Sequence, residues 1–156
     1  MKIIKWIVIV IIAVPLALVA FMYARNKMVG PAGWAEDNTI KQLKGMMKDP
    51  DSMVIRSSFV LQRTNADGNT EISVCGIVDG KNAFGGYAGG TRFVSLSMDN
   101  KKINTFDTIF VKIDESTASD RALAKRVDSV TPFEHAYWNG NCVDETHPML
   151  VRTSES

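Results

Sequence analysis

The sequence predicts an α+β fold: an N-terminal transmembrane helix, then a helix, a four-stranded antiparallel meander and two C-terminal helices. Three observations predict it. An uncharged apolar run fills Trp6 to Met22. Helical spacing of apolar residues follows between Asn38 and Met47. The period then changes to two over four stretches between Met53 and Ile113, and helical signals return after Ser116. A chain of 156 residues is one domain's worth, here a domain with an appendage.

Lys2, Lys5 and the α-amino group precede the apolar run, Tyr23 and Ala24 extend it, and Arg25 and Lys27 close it. Its length lies near the low end of the roughly 17–25 residues that span a bilayer as a helix. Trp6 and Tyr23 bracket it, where amphipathic rings favour the headgroup level, and Pro15 is tolerated in a membrane helix. The rival is a cleaved signal peptide, which needs small residues at −3 and −1 of the cut. Cutting after Ala20 puts Leu18 at −3, and cutting after Ala24 puts Met22 there. No Cys follows closely, so a lipoprotein site is absent. Residues 1–27 therefore read as an uncleaved anchor, with the lipid bilayer as partner of residues 6–24. The cationic flanks bias orientation only slightly.

Setting the anchor aside changes the charge arithmetic. The whole chain is +1, but Lys2, Lys5, Arg25 and Lys27 belong to the anchor and its flanks, leaving 14 cations against 17 acids. A domain of about −3 is not, by bulk charge, a binder of nucleic acid or of anionic lipid. Met28–Gly33 reads as a short Gly/Pro linker, residues 34–148 as the domain, and 149–156 as a tail.

Asp37 or Asn38 can cap the domain's first helix, with Ile40, Leu43, Met46 and Met47 on its apolar face. Lys41, Lys44 and Lys48 sit on its polar side, and Pro50 stops it. The first strand is Met53–Arg63, with Ile55, Ser57, Phe59 and Leu61 sharing a face. Ala66-Asp67-Gly68-Asn69 is a hairpin turn. Glu71–Asp79 follows, with Ile72, Val74, Gly76 and Val78 opposed to Cys75 and Ile77. Thr91–Met98 and Thr105–Ile113 are the remaining strands; in the last, Phe106, Thr108 and Phe110 oppose Ile109, Val111 and Ile113. Ser116 or Ser119 can cap a helix to about Val130 with Leu123, Val127 and Val130 inward. Thr131-Pro132-Phe133-Glu134 is a capping box with proline at the first helical position, and it opens a short helix faced by Phe133, Tyr137 and Trp138.

Cys75 and Cys142 are the two cysteines. In an exported domain they read as a disulfide closing a long loop, which favours a cytoplasmic N-terminus and a periplasmic domain. Two reduced thiols are the alternative if the domain is cytoplasmic. Cys142, Asp144, His147 and His135 could also form a Cys-His catalytic pair or a metal set, but nothing in the spacing fixes either geometry or matches a zinc pattern. No catalytic residue, metal or cofactor is expected.

The most unusual stretch is Asp79–Gly90. It lacks both the dinucleotide glycine spacing and a P-loop Gly-Lys-Ser/Thr. It reads either as a tight connection packed by Phe84 and Tyr87, or as a binding loop presenting Lys81, Asn82, Phe84 and Tyr87 to a protein partner.

The string Val74–Tyr87 followed by Arg92-Phe93-Val94 resembles a pattern in small uncharacterised bacterial and phage-borne membrane-anchored envelope proteins. Those proteins also carry a Lys-Asp-Pro-x-Ser run upstream, matched by Lys48–Ser52. They often end in a stretch matched by Tyr137-Trp138-Asn139, Cys142-Val143-Asp144 and His147-Pro148. The resemblance spans roughly residues 40–150. It departs at Asp79-Gly80, where such proteins often carry Asn-Ala, which loosens a shared role for the loop. It implies an envelope setting, with a prophage or accessory-element role suggested by context, and little about activity.

The expected function is therefore a non-enzymatic, membrane-anchored periplasmic binding module at the bacterial inner membrane. A structural subunit of an envelope assembly is the alternative, and a hydrolase using Asp144 and His147 with His135 is a further one.

Overall fold

The structure, a computed structural model, describes residues 2–87 and 89–152, and the side chains of 11–24, 29–87 and 89–152 among them. The expected contacts of Trp6 and of the cationic flanks, and the end of the tail, lie outside the described residues. Helix α1 spans Lys2–Met46 and is broken at Gly30. Strands β1 (Val54–Thr64), β2 (Thr70–Asp79), β3 (Thr91–Asn100) and β4 (Thr105–Ile113) form one antiparallel meander in that order. Helix α2 (Ala118–Arg126) and a π-helical turn (Glu134–Trp138) that runs into Asn139–Asn141 complete the chain.

No single helix among the described residues is long and apolar enough to cross a membrane. The arms Ile11–Ala24 and Val29–Met46 pass that test only together, bent by 95°. The break has a local cause. Proline disfavours α geometry in the residue before it, and Gly30, which precedes Pro31, takes φ 65 where a side chain would be strained. Met28–Gly33 is thus helical except at Gly30, and the second arm starts at this break rather than at a cap on Asp37 or Asn38.

The second arm packs on the sheet through Ala35, Thr39 and Leu43, all buried, with Met47 alongside. Ile40 and Met46, expected inward, are exposed. The small side chains win the central positions because polar contacts join helix and sheet there. Thr39 Oγ1 lies 2.7 Å from Ser95 Oγ, and Asn38 Nδ2 donates to Thr108 Oγ1, itself 3.1 Å from Ser97 Oγ. Beneath this seam Ile72, Val74, Val78, Phe93 and Val111 form the main core.

Two bulges decide which side chains face the helix. Arg56 is left unpaired between Ile55↔Val78 and Ser57↔Ile77. Ile55 therefore joins the helix-side core, while Phe59 turns to the other face with Cys75. In β4, Ile109 is unpaired between Phe110↔Leu96 and Thr108↔Ser97. Phe106, Val111 and Ile113 consequently pack on the helix side and Phe110 on the opposite one. A one-residue insertion flips the alternation, which corrects the faces expected for both edge strands.

The opposite face is covered by the C-terminal segment. Cys75 and Cys142 form a disulfide, buried with Val94 and Phe133 and flanked by Phe59, Phe110, Tyr137 and Trp138. The Thr131 box forms as expected: the Glu134 N–H donates to Thr131 Oγ1, and the Thr131 N–H to Glu134 Oε2 at 2.8 Å. Helix α2 is capped at Thr117, paired with Asp120, rather than at Ser116 or Ser119. Leu123 and Val127 are exposed and only Ala124 is buried, because this short helix touches the body through a narrow stripe.

Candidate functional site

The Gly-rich loop is a small braced hairpin. Lys81 and Tyr87 bridge antiparallel. Inside that bridge the Asn82 N–H donates to the Gly86 carbonyl at 2.8 Å, and the Gly85 N–H to the Asn82 carbonyl at 2.9 Å. Asn82 Oδ1 accepts from the N–H groups of Phe84 and Gly86. Its side chain therefore shapes the turn. At the loop's exit Gly90 takes φ +90, and a Cβ there would lie 2.6 Å from Ile77 Cγ2, so the position admits only glycine without displacement.

The Lys48–Ser52 run holds this loop in place. Ser52 Oγ accepts from the Lys81 N–H at 2.9 Å, and the Ser52 carbonyl accepts from the Tyr87 hydroxyl. Arg56, projected by its bulge, sits 5.5 Å from the Tyr87 ring centroid and pairs with buried Asp79 at 2.7 Å. Two of the four loop residues read from the sequence, Asn82 and Tyr87, thus brace the loop. The other two are presented: Lys81 is exposed, and Phe84 at the tip is 97% exposed. An aromatic ring held in water on a fixed loop is a ready apolar contact for a partner.

Beside the loop opens a cleft of about 830 Å³. Met47, Val78, Val111, Ile113, Phe133 and Tyr137 supply apolar lining, and Lys48, Lys81 and Lys112 stand at it. Among the described residues these three lysines carry no ion pair. Of the acids there, Asp79 is held by Arg56. Asp120 is bound in its cap, where hydrogen bonds from the Thr117 hydroxyl and N–H hold its carboxyl below the usual carboxylate range. Asp49 and Glu115 also line the cleft. The arrangement suits a ligand or chain segment that pairs an apolar group with an anion. Nothing in the period-two pattern pointed to this cleft, because its walls come from five separate segments of the chain.

Asp144 and His147 come together on the other face. Asp144 Oδ1 accepts from the His147 N–H, lies 2.9 Å from His147 Nδ1, and is reached by Thr146. The His147 ring stacks on Phe59 with centroids 3.7 Å apart. Cys142 is consumed in the disulfide. Arg63 donates to the carbonyls of Gly140 and Val143, and Asn139 binds Leu150 through both backbone groups. The Arg63 contacts and the His147–Phe59 stack fasten the C-terminal segment to β1, and the Asn139–Leu150 pair closes that segment on itself. His135 is exposed on the π-helical turn. Among the described residues no group of three or more His, Cys, Asp or Glu side chains could hold a metal ion.

Partial burial raises the Asp144 carboxyl, but hydrogen bonds from Thr146 and His147 outweigh it and hold the group at about 2, against 3.8 ordinarily. A carboxyl depressed on folding stabilises above its unfolded value and stops doing so as pH falls through the folded one. The His147–Phe59 stack should therefore loosen between about pH 4 and pH 2. NMR resonances of the His147 ring should lose their ring-current shift in that window. Asp144→Asn should start loosened and stay flat; identical profiles for the two proteins would remove Asp144 as the cause.

No protein-family model, curated protein or solved structure matches the chain.

Proposed function

We propose that this chain is a non-enzymatic, membrane-anchored binding module whose domain faces the periplasm and captures a protein partner through the Lys81–Tyr87 loop. The observation that carries this reading is Phe84, fully presented on a loop whose bracing leaves its ring no packing role. The adjoining cleft and its unpaired lysines extend the same surface. The anchor is supported by the first arm of α1, where large apolar side chains from Ile11 to Tyr23 are exposed all round. Such a surface calls for lipid or other helices as cover. A buried disulfide fits an oxidising compartment, which supports the periplasmic side. The resemblance to phage-borne and bacterial envelope proteins points to the same setting.

Phe84→Ala should abolish partner capture while changing stability by less than about 0.5 kcal/mol, since the ring touches little. A photo-crosslinker at Lys81 in intact membranes, with and without Phe84→Ala, reads this out. Undiminished crosslinking would leave the loop a mere connection. Should the first arm instead join an envelope assembly, crosslinkers at Leu16 or Val19 would trap protein helices rather than lipid alone.

A further inference from the structure

We propose that the cleft beside the Lys81–Tyr87 loop takes the carboxyl-terminal end of the protein partner, with the partner's last apolar side chain on the cleft's lining and its carboxylate among Lys48, Lys81 and Lys112. The proposal rests on the binding-module reading and adds the chemistry of what is bound.

The two ends of the sheet are built differently. The hairpin turns at 65–69 and 101–104 lie at one end. At the other, β2 runs out at Asp79 into the loop, β3 starts at Thr91 and β4 finishes at Ile113. The cleft opens at this second end, and Met47 and Lys48, just past the end of α1, line it too.

Its apolar lining is already set. Val78, Val111 and Phe133 are buried, and Met47, Ile113 and Tyr137 are half-buried. Met47 is seated on Gly80, where a Cβ would lie 3.2 Å from its sulfur. Met46 lines the cleft as well and is 50% exposed, and all three lysines are exposed. A free apolar ligand needs a site that encloses most of its surface. With so much of the lining in water, such a ligand would stay half wet here, whereas a partner that reaches Phe84 covers cleft and terminus together. Lys81 belongs to the loop and to the cleft, so the two surfaces are continuous.

Charge limits the ligand to a single anion. Asp79 is held by Arg56, and Asp120 is spent on the N-terminus of α2, whose dipole offsets it. Asp49 and Glu115 remain against three lysines, one cation in excess. A polyanion would meet both acids, but one carboxylate can take charge-assisted hydrogen bonds from the lysines alone. A chain terminus joins one carboxylate to one side chain at its last residue, the pairing this lining calls for.

The test uses the full chain in phosphatidylcholine nanodiscs with isotope-labelled methionine methyl groups, the Met47 resonance being assigned through Met47→Leu. The probes are acetylated Gly/Ser peptides ending in Leu or Phe, each as free acid and as amide, and decanoate. The acids should shift the Met47 resonance saturably and bind about tenfold more tightly than their amides. About 0.5 M salt, or Lys81→Ala with Lys112→Ala, should remove that difference, and the salt arm needs no variant to fold. Equal binding of acid and amide, or no saturable shift, would overturn the proposal. Tighter binding of decanoate than of any peptide would overturn it in favour of a free amphipathic ligand. Either result leaves Phe84-dependent crosslinking at Lys81 standing as evidence for the loop. Loss of that dependence with the preference for acids intact would overturn the loop reading alone.

Discussion

Removing the disulfide, with Cys75→Ala and Cys142→Ala together, is expected to lower the unfolding free energy by about 4 kcal/mol. The two cysteines are 67 residues apart in sequence, so the bridge removes a long loop's worth of freedom from the unfolded chain. Domains of this size keep only about 5–15 kcal/mol in total, so the loss takes a large share of the margin. It should also be uneven. The C-terminal cover has little regular structure of its own and meets the sheet through a few aromatic rings, two arginines and the bridge. Urea unfolding of the detergent-extracted protein should show the drop. Amide exchange should rise first over residues 132–148 while β2 and β3 stay protected. A loss under about 1 kcal/mol with unchanged exchange would mean that the rings and arginines hold the cover unaided.

Most of the fold was legible because its signals are local. The four strands fall where the period-two pattern placed them, since each has turn residues at its ends. Asn65 and Asn100 fold the two hairpin turns with their own side chains. The Thr131–Glu134 box was legible because both halves of a capping box lie within four residues. What escaped was set by single-residue insertions and by contacts distant in sequence. Arg56 and Ile109 each shift a ladder by one residue, and a pattern of alternation carries no mark of which residue is skipped. The same blindness hid Arg56's role beside the loop, since its partners Asp79 and Tyr87 lie 23 and 31 positions away. Ser52 was visible only as the end of the Lys48–Ser52 run, yet it ties that run to both ends of the Lys81–Tyr87 bridge. The helix face was misjudged for a different reason. Ala35 and Thr39 score low as core residues, but small side chains are what close approach to a sheet requires.

These pieces divide the loop's residues between holding and presenting. Asn82 and Tyr87 make poor probes of binding, because their loss would deform the loop that carries Phe84. Lys81 and Phe84 are the informative positions, and a double substitution there should spare the fold entirely.

The buried ion pair is the second place where one side chain matters greatly. Glu134→Ala is expected to cost about 3 kcal/mol, the lower end of what breaking a buried pair costs. The Glu134 side chain is 1% exposed and accepts from Arg92 Nη1 and from the Thr131 N–H. Its removal takes the partner from a charged group and from a buried backbone donor at once. Arg92 is 25% exposed and lies over the Trp138 ring, so water can reach the guanidinium in part, which keeps the loss from the upper end. Thr131→Ala removes only the cap and should cost about 1 kcal/mol. The decisive comparison is Arg92→Met with Glu134→Leu, which removes both charges and should cost less than Glu134→Ala alone. A double variant as unstable as the sum of its singles would show the two residues acting independently. Because Arg92 stands on β3 and Glu134 on the C-terminal cover, this pair and the disulfide restrain the same segment. With the bridge already removed, Glu134→Ala should release the cover outright, seen as loss of near-UV ellipticity from Tyr137 and Trp138 while the strand signal in the far UV persists.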